Sequence, residues 1–337
     1  MSAPEARDLV DPYDRVVRDL RVSVTDRCNF RCTYCMPEEG MQWMPRSEIL
    51  TFEEITRIAR VCVERFGFDG IRLTGGEPTI RAHVTRLVSQ LAELGVDLAM
   101  TTNAATLRNV AHDLRDAGLR RINISLDTLD RAKFERMTRR DELDNVLLGI
   151  DAAVEAGFDP VKINAVVERG VNDDEIVDLA RFGRDHGVEV RFIEFMPLDA
   201  SDEWQRSKVV GQAEIVERLG QVWQLEQVPA RGAAPADRWR YADASPGDPG
   251  GTVGVIPTVT QPFCGDCDRV RLTADGQLRT CLFATDEFDL RGPLRYGETD
   301  DQIADRIEAA VGTKWAGHQI NQVNFIRPKR NMSQIGG

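Results

Sequence analysis

Cys28, Cys32 and Cys35 stand at spacings of four and three residues, directly after the apolar run Leu20-Arg21-Val22-Ser23-Val24. Thiolates gathered at the mouth of a strand suit an iron-sulfur cluster, which normally takes four such ligands. Here the local set stops at three. One iron would then keep a position open for a small molecule, as a catalytic zinc does. The plainer readings are a zinc knot, which wants a fourth ligand close by, and cysteines packed in a core. Cysteines clustered in a loop usually owe their place to reactivity or metal binding.

A second trio lies near the other end of the chain: Cys264-Gly265-Asp266-Cys267 and, after thirteen intervening residues, Cys281. A zinc knuckle would need a distant histidine, and the only later one is His318. A second cluster with an open iron suits three ligands better. The seventh cysteine, Cys62, falls on the apolar face of an expected helix and reads as core. Gly75-Gly76-Glu77-Pro78 follows a strand, where two glycines let backbone approach a ligand and Glu77 could offset a positive charge. Arg21, Arg72 and Lys162 lie within strands, where a charge is expensive unless it reaches a partner or a cavity. Arg269 and Arg271 alternate onto one strand face, and guanidinium forks suit phosphate. Together these cations suggest a phosphate site.

The elements that must position these groups alternate. After the first strand, a helix is expected over residues 51–66, with Thr51 and Glu54 forming a capping box. Strands follow near 70–73, 97–101, 121–125, 161–166 and 189–194, with helical stretches near 83–94, 106–117, 144–156 and 173–186. Six strand-helix units imply an α/β fold with a parallel sheet and helices outside, an incomplete TIM-like (β/α)6 barrel whose site lies at the carboxyl ends of the strands. Beyond 196–198 the pattern fades. Residues 204–208 read as a mobile connection, 212–219 as a helix, 231–251 as turns and loops, and 252–256 and 270–273 as short strands. The division expected is a flexible N-terminus (1–14), the partial barrel (15–230) and a C-terminal iron-sulfur-binding extension (231–337).

Length (337 residues) suits one barrel-like body with an appendage, and 42% hydrophobic residues can fill its core. A net charge of -12 argues against a nucleic-acid partner. No apolar run approaches the roughly 18 residues of a membrane span. Residues 1–14 lack an apolar signal region, and a cytoplasmic location is expected. In that setting seven cysteines read as metal or redox ligands before disulfides.

The first trio, with Tyr34 before its last cysteine, resembles the signature of the radical S-adenosylmethionine (SAM) enzymes. Two trios together resemble one subfamily, the GTP 3′,8-cyclases of molybdenum cofactor biosynthesis (the molybdenum cofactor biosynthesis protein A family). The similarity runs through residues 20–28, 74–78, 191–198 and 263–271 to Gly336-Gly337. It implies two [4Fe-4S] clusters, on Cys28, Cys32 and Cys35 and on Cys264, Cys267 and Cys281. It also implies SAM contacts at Tyr34, Gly76, Ser125 and Met196, and GTP contacts at Arg21, Arg72, Thr101, Lys162, Arg269, Val270 and Arg271. Val270 would act through its backbone. Catalytic roles fall to Arg269, Arg271 and the terminal Gly336 and Gly337, which would reach into the active site where a side chain would collide. In such enzymes a deoxyadenosyl radical takes the ribose 3′ hydrogen of GTP, and the substrate radical closes onto C8 of guanine. A flavodoxin- or ferredoxin-type donor, transfer of product to cyclic pyranopterin monophosphate synthase, and a homodimer are further implications. One departure is visible: Ala104 stands where the family commonly has glycine, so a different local loop is expected there. Two other classes fit the sequence less well. Peptide-modifying radical SAM enzymes usually carry more cysteines, and an electron carrier has no need of the Gly75-Gly76-Glu77-Pro78 loop.

Overall fold

The computed structural model describes residues 6–198, 204–229, 232–323 and 325–336. Its first half alternates as β1 (Asp19–Ser23), α1 (Phe52–Phe66), β2 (Gly70–Thr74), α2 (Val84–Ala92), β3 (Asp97–Thr102), α3 (Ala111–Asp116), β4 (Arg121–Ser125), α4 (Arg131–Thr138), α5 (Leu143–Glu155), β5 (Val161–Val167), α6 (Ile176–Asp185) and β6 (Glu189–Glu194). The Thr51/Glu54 capping box forms at the start of α1. Helix α4 was not anticipated in sequence. It is short, and only Phe134, Met137 and Thr138 of its eight residues are buried, so its apolar stripe is too thin to mark a helix by period.

The remainder comprises α7 (Gln212–Gly220), β7 (Leu225–Val228), β8 (Asp237–Tyr241), β9 (Thr252–Ile256), β10 (Arg269–Leu272), β11 (Gln277–Arg279), β12 (Phe288–Asp289), α8 (Arg291–Arg295), α9 (Asp300–Val311) and α10 (Met332–Ile335). One sheet takes all twelve strands in the order β12-β11-β10-β1-β2-β3-β4-β5-β6-β9-β8-β7, so it does not close into a barrel. Strands β10 and β9 add in parallel to β1 and β6 respectively. The C-terminal region therefore extends both edges of the sheet. Part of the stretch read as turns is strand: β8 pairs with both β7 and β9.

Burial in β5 alternates strictly. Val161, Ile163, Ala165 and Val167 are buried, while Lys162, Asn164 and Val166 are only partly covered. Since successive side chains point to opposite sheet faces, one face packs under the helices and the other lines the concave interior. Cys62 lies fully buried in the helix-side core.

Two local expectations change, and the Ala104 backbone is defined. The terminal segment is packed from Leu9 onward: Leu9 and Asp11 are buried, and Val10 bridges to Val16. Arg15 pairs with Asp11 and spreads its fork over the carbonyls of Cys264, Trp315 and Ala316 at 2.5–2.7 Å. The 204–208 stretch is held by a Trp204 indole N–H donated to the Phe195 carbonyl at 2.9 Å. Ala104 adopts a left-handed backbone with φ of 61°. Its cost of about 1–2 kcal/mol is offset in part by a fully buried methyl, which contributes about 0.8 kcal/mol.

Candidate active site

The first cysteine loop leaves the carboxyl end of β1 and is pinned by α4. Arg31 and Thr33 donate backbone N–H groups to the carbonyls of Thr138 and Met137, each at 2.9 Å. Arg139, in a left-handed cap, donates to the carbonyls of Arg31 and Met36. Within the loop the N–H groups of Cys35 and Met36 return to the Cys32 carbonyl. The Cys28 sulfur accepts from Phe30 N–H at 3.4 Å and faces Asn103 Nδ2 at 3.8 Å.

The glycine doublet seats this loop. The N–H groups of Gly76 and Glu77 donate to the carbonyls of Thr25 and Arg27, both at 2.8 Å. A side chain on Gly76 would overlap the Arg27 carbonyl, and Gly75 has φ of 140°. Among the described residues Glu77 forms no ion pair. Its carboxylate accepts from Thr79 N–H, the hydroxyls of Thr79 and Thr102, and Asn103 N–H. The variant Gly76→Ala is expected to destabilise the fold by about 4 kcal/mol or more and to lose the iron of the first trio, as read by denaturant titration and metal analysis.

A cavity of about 250 Å³ opens over the concave face. Tyr34, Ser125 and Met196 line one part, Cys264, Cys267 and Cys281 another, and Arg21, Arg72, Thr101, Arg269 and Arg271 the wall between. Cys32 borders a small recess that also includes Tyr34 and Ser125. A neighbouring recess of about 320 Å³ is framed by Arg21, Arg72, Arg121, Lys162, Arg191, Arg238 and Arg269. Gly76 and Val270 line neither space. Val270 is buried on the opposite face of β10, in register with Leu20 of β1. Gly337 lies outside the described residues. Gly336, with φ of 82°, sits against Ser23 and Thr74, where a side chain would collide, and its carbonyl accepts from Arg271 Nη1.

Several residues escaped the sequence reading. Asp127 accepts the Tyr34 hydroxyl at 2.7 Å and Val166 N–H at 2.8 Å, and burial lifts its carboxyl to about 6. Arg191, on β6, belongs to both spaces, as a charge within a strand could have signalled. The ring nitrogens of His318 are buried without hydrogen-bond partners, and the ring packs on Phe283 with centroids 5.1 Å apart.

The donor sets suit metal clusters and a polyanion. Burial raises the thiols of Cys28 to about 11 and Cys35 to about 12, and raises Cys32. Neighbouring cysteines add to the rise in Cys32 and Cys35, so bringing the trio together as thiolates calls for metal charge. Cys267 differs: burial alone would raise it, but Arg269 and Lys314 bring it below the usual thiol range. Among the described residues no three His, Cys, Asp or Glu are arranged to grip a single ion, so the zinc alternative finds no such ligand set. Arg72 Nε and Asn164 Oδ1 are buried without hydrogen-bond partners, as groups awaiting a polar ligand would be; Arg21 Nε and Arg269 Nε also lack hydrogen bonds, although Asp19 and Asp268 carboxylates lie 3.7 and 3.4 Å away.

Comparisons with known proteins place the chain in a family. Residues 22–183 match the radical SAM superfamily, and residues 188–320 match the family described as Molybdenum Cofactor Synthesis C. SuiB of Streptococcus suis, solved bound to S-adenosylmethionine, shares the fold at a TM-score of 0.59 and 14% identity, over 95% of this chain and 77% of that one. A protein of Mycolicibacterium smegmatis named GTP 3′,8-cyclase is 48% identical over 99% of this chain and 93% of its own length. One of Corynebacterium glutamicum with the same name is 47% identical over 98% of this chain and 90% of its own length. On this near-complete similarity, with both domain matches in series, the chain belongs to the GTP 3′,8-cyclase family of radical SAM enzymes.

Proposed function

We propose that the protein converts GTP to (8S)-3′,8-cyclo-7,8-dihydroguanosine 5′-triphosphate, the first step of molybdenum cofactor biosynthesis. The observation that carries the reading is the single cavity bordered by Tyr34, Ser125 and Met196 on one part and by Cys264, Cys267 and Cys281 on another, with arginines between. Cys28, Cys32 and Cys35 would hold one [4Fe-4S] cluster and the second trio another. When bound, these clusters supply the electron that starts radical chemistry on SAM and an open iron for the guanine.

The chain's own residues bind, orient and exclude water. Tyr34, fixed by Asp127, and Ser125 hold SAM with Met196 against it. Residues 75–78 keep the first cysteine loop seated, and Gly76 contributes backbone. Arg21, Arg72, Lys162 and Arg269 take the triphosphate, helped by Arg191. Thr101, Arg271 and the backbone at Val270 complete the GTP contacts. Gly336, anchored by Arg271, brings the tail to the site, and a catalytic role for Gly337 belongs to the same reading. Residues 15–230 thus carry SAM, and residues 231–337 carry the second trio and the tail. A flavodoxin- or ferredoxin-type donor, a cytoplasmic setting, delivery of product to cyclic pyranopterin monophosphate synthase, and a homodimer complete the reading. No described helix is long and apolar enough to cross a membrane.

The test is anaerobic reconstitution with iron and sulfide, followed by SAM, dithionite and GTP. About eight irons per chain and a GTP-dependent cyclised nucleotide are expected by metal analysis and mass spectrometry. Formation of 5′-deoxyadenosine with GTP untouched would assign the second site to another substrate.

A pH dependence follows from Lys162, which burial and then Arg191 push down to about 7. Triphosphate favours the ammonium, so binding raises that pKa and takes up a proton above pH 7. Affinity should therefore fall between pH 7 and 9, by at most about tenfold per unit from this group. Calorimetry at pH 8 in buffers of different ionisation heat reads the uptake, and Lys162→Arg should remove it.

A further inference from the structure

Helix α9 begins in a Thr299/Gln302 capping box and ends at Val311. Three residues past its end Lys314 turns inward, with its backbone N–H donated to the Val311 carbonyl at 2.9 Å. The side chain is only 3% exposed. Nζ lies 2.6 Å from the Arg269 carbonyl, 2.7 Å from the Thr280 carbonyl and 3.8 Å from the Cys267 sulfur. Three acceptors around one nitrogen match the three N–H donors of an ammonium; a neutral amine has only two. The seat thus suits an ammonium.

A buried cation is costly unless an anion accompanies it. Among the described residues no carboxylate pairs with Lys314. The sulfur beside it is that of Cys267, 3.8 Å away, and Cys281 completes the same trio with Cys264. The two carbonyls it holds belong to the segments that bear these cysteines: Thr280 precedes Cys281, and Arg269 follows Cys267 by two residues. In the first trio, by contrast, the groups reaching the Cys28 sulfur are a backbone N–H and a neutral amide.

We propose that Lys314 is the resident counter-charge of the iron-sulfur group on Cys264, Cys267 and Cys281, and that it sets how readily that group accepts an electron. The inference rests on reading this trio as cluster ligands. A cluster on three thiolates is anionic, and taking one electron without a proton adds one negative charge. A fixed cation at hydrogen-bonding distance from a ligand sulfur stabilises the reduced form more than the oxidised form. Lys314 is thus a positioning and potential-setting residue; it contacts a ligand, and nothing places it on substrate.

The experiment is a mediated dithionite titration, followed by electron paramagnetic resonance, of full-length protein in which Cys28, Cys32 and Cys35 are alanine, leaving one reconstituted cluster. Iron content of this parent tests the ligand reading on its own: about four irons are expected, and none would remove the premise. Lys314→Met should then lower the reduced-to-oxidised ratio at fixed potential about tenfold, a shift of about 59 mV for one electron. Lys314→Arg should stay within about twofold of the parent. An unchanged potential in Lys314→Met with iron retained overturns the inference. If Lys314→Met loses its iron, Lys314→Arg decides: iron retained at the parent potential supports the counter-charge, and iron lost there too assigns Lys314 a purely structural role.

Discussion

Replacing Cys32 with alanine is expected to bring SAM cleavage below detection, a fall in 5′-deoxyadenosine of at least about 10³-fold, on the order of 4 kcal/mol of barrier. Iron should drop by about half while the second cluster remains. The reason is local and electrostatic. Cys32 lies inside a loop that α4 fixes at the Thr138 and Met137 carbonyls, so no other residue can swing in to replace its sulfur. Burial already holds this thiol well above its usual range, with Cys35 and Asp127 adding to the effect. A trio with one member missing leaves two costly thiols and too few ligands to retain a cluster with one open iron. The contrasting variant, Cys281→Ala, should keep forming 5′-deoxyadenosine and lose the cyclised nucleotide. Equal loss of both products in the two variants would mean that the trios do not divide the chemistry as proposed.

The second large effect concerns Arg271. Its β10 position is in register with Arg21 of β1, and Arg21 with Arg72 of β2. Three guanidinium groups therefore stand side by side on the concave face. Like charges directly opposite on adjacent strands destabilise a sheet, and burial makes the repulsion worse. Burial and Arg21 push Arg271 well below its usual range, and Arg72 falls to about 9 for the same two reasons. The described acceptor for Arg271 is the Gly336 carbonyl. Such an arrangement is poor for stability and good for an anion. Arg271→Met should weaken GTP binding roughly 10- to 100-fold, the loss of one charge-assisted contact. SAM cleavage should survive, and the nucleotide-free fold should gain about 1–4 kcal/mol. Calorimetry with GTP and thermal unfolding without it read the two halves separately. Affinity within twofold of the parent, or a less stable ligand-free protein, would contradict this assignment.

Both variants show where sequence and tertiary structure divide. The cysteine spacings, the Gly75-Gly76 doublet and the strand-helix alternation are local patterns: a trio within one loop and a residue period within one element are complete in the linear chain. For that reason the six barrel strands, the α1 cap and Cys62 as core could be read directly. Arginines inside strands were also legible, because a charge there demands a cavity wherever the strand ends up.

What the linear pattern does not contain is which strand lies beside which. Stacking Arg271, Arg21 and Arg72 needs β10 to dock on β1, a pairing across some 250 residues of chain. The clamp of Arg15 on Cys264, Trp315 and Ala316, and the seat of Lys314 between Arg269, Thr280 and Cys267, are likewise contacts between distant segments. The four neutral donors that surround the Glu77 carboxylate are likewise set by the fold. Ligand types and their spacing are properties of the chain, because covalent neighbours fix them. Charge, burial and partner are properties of the assembled sheet, because only its register decides which groups share a low-dielectric space.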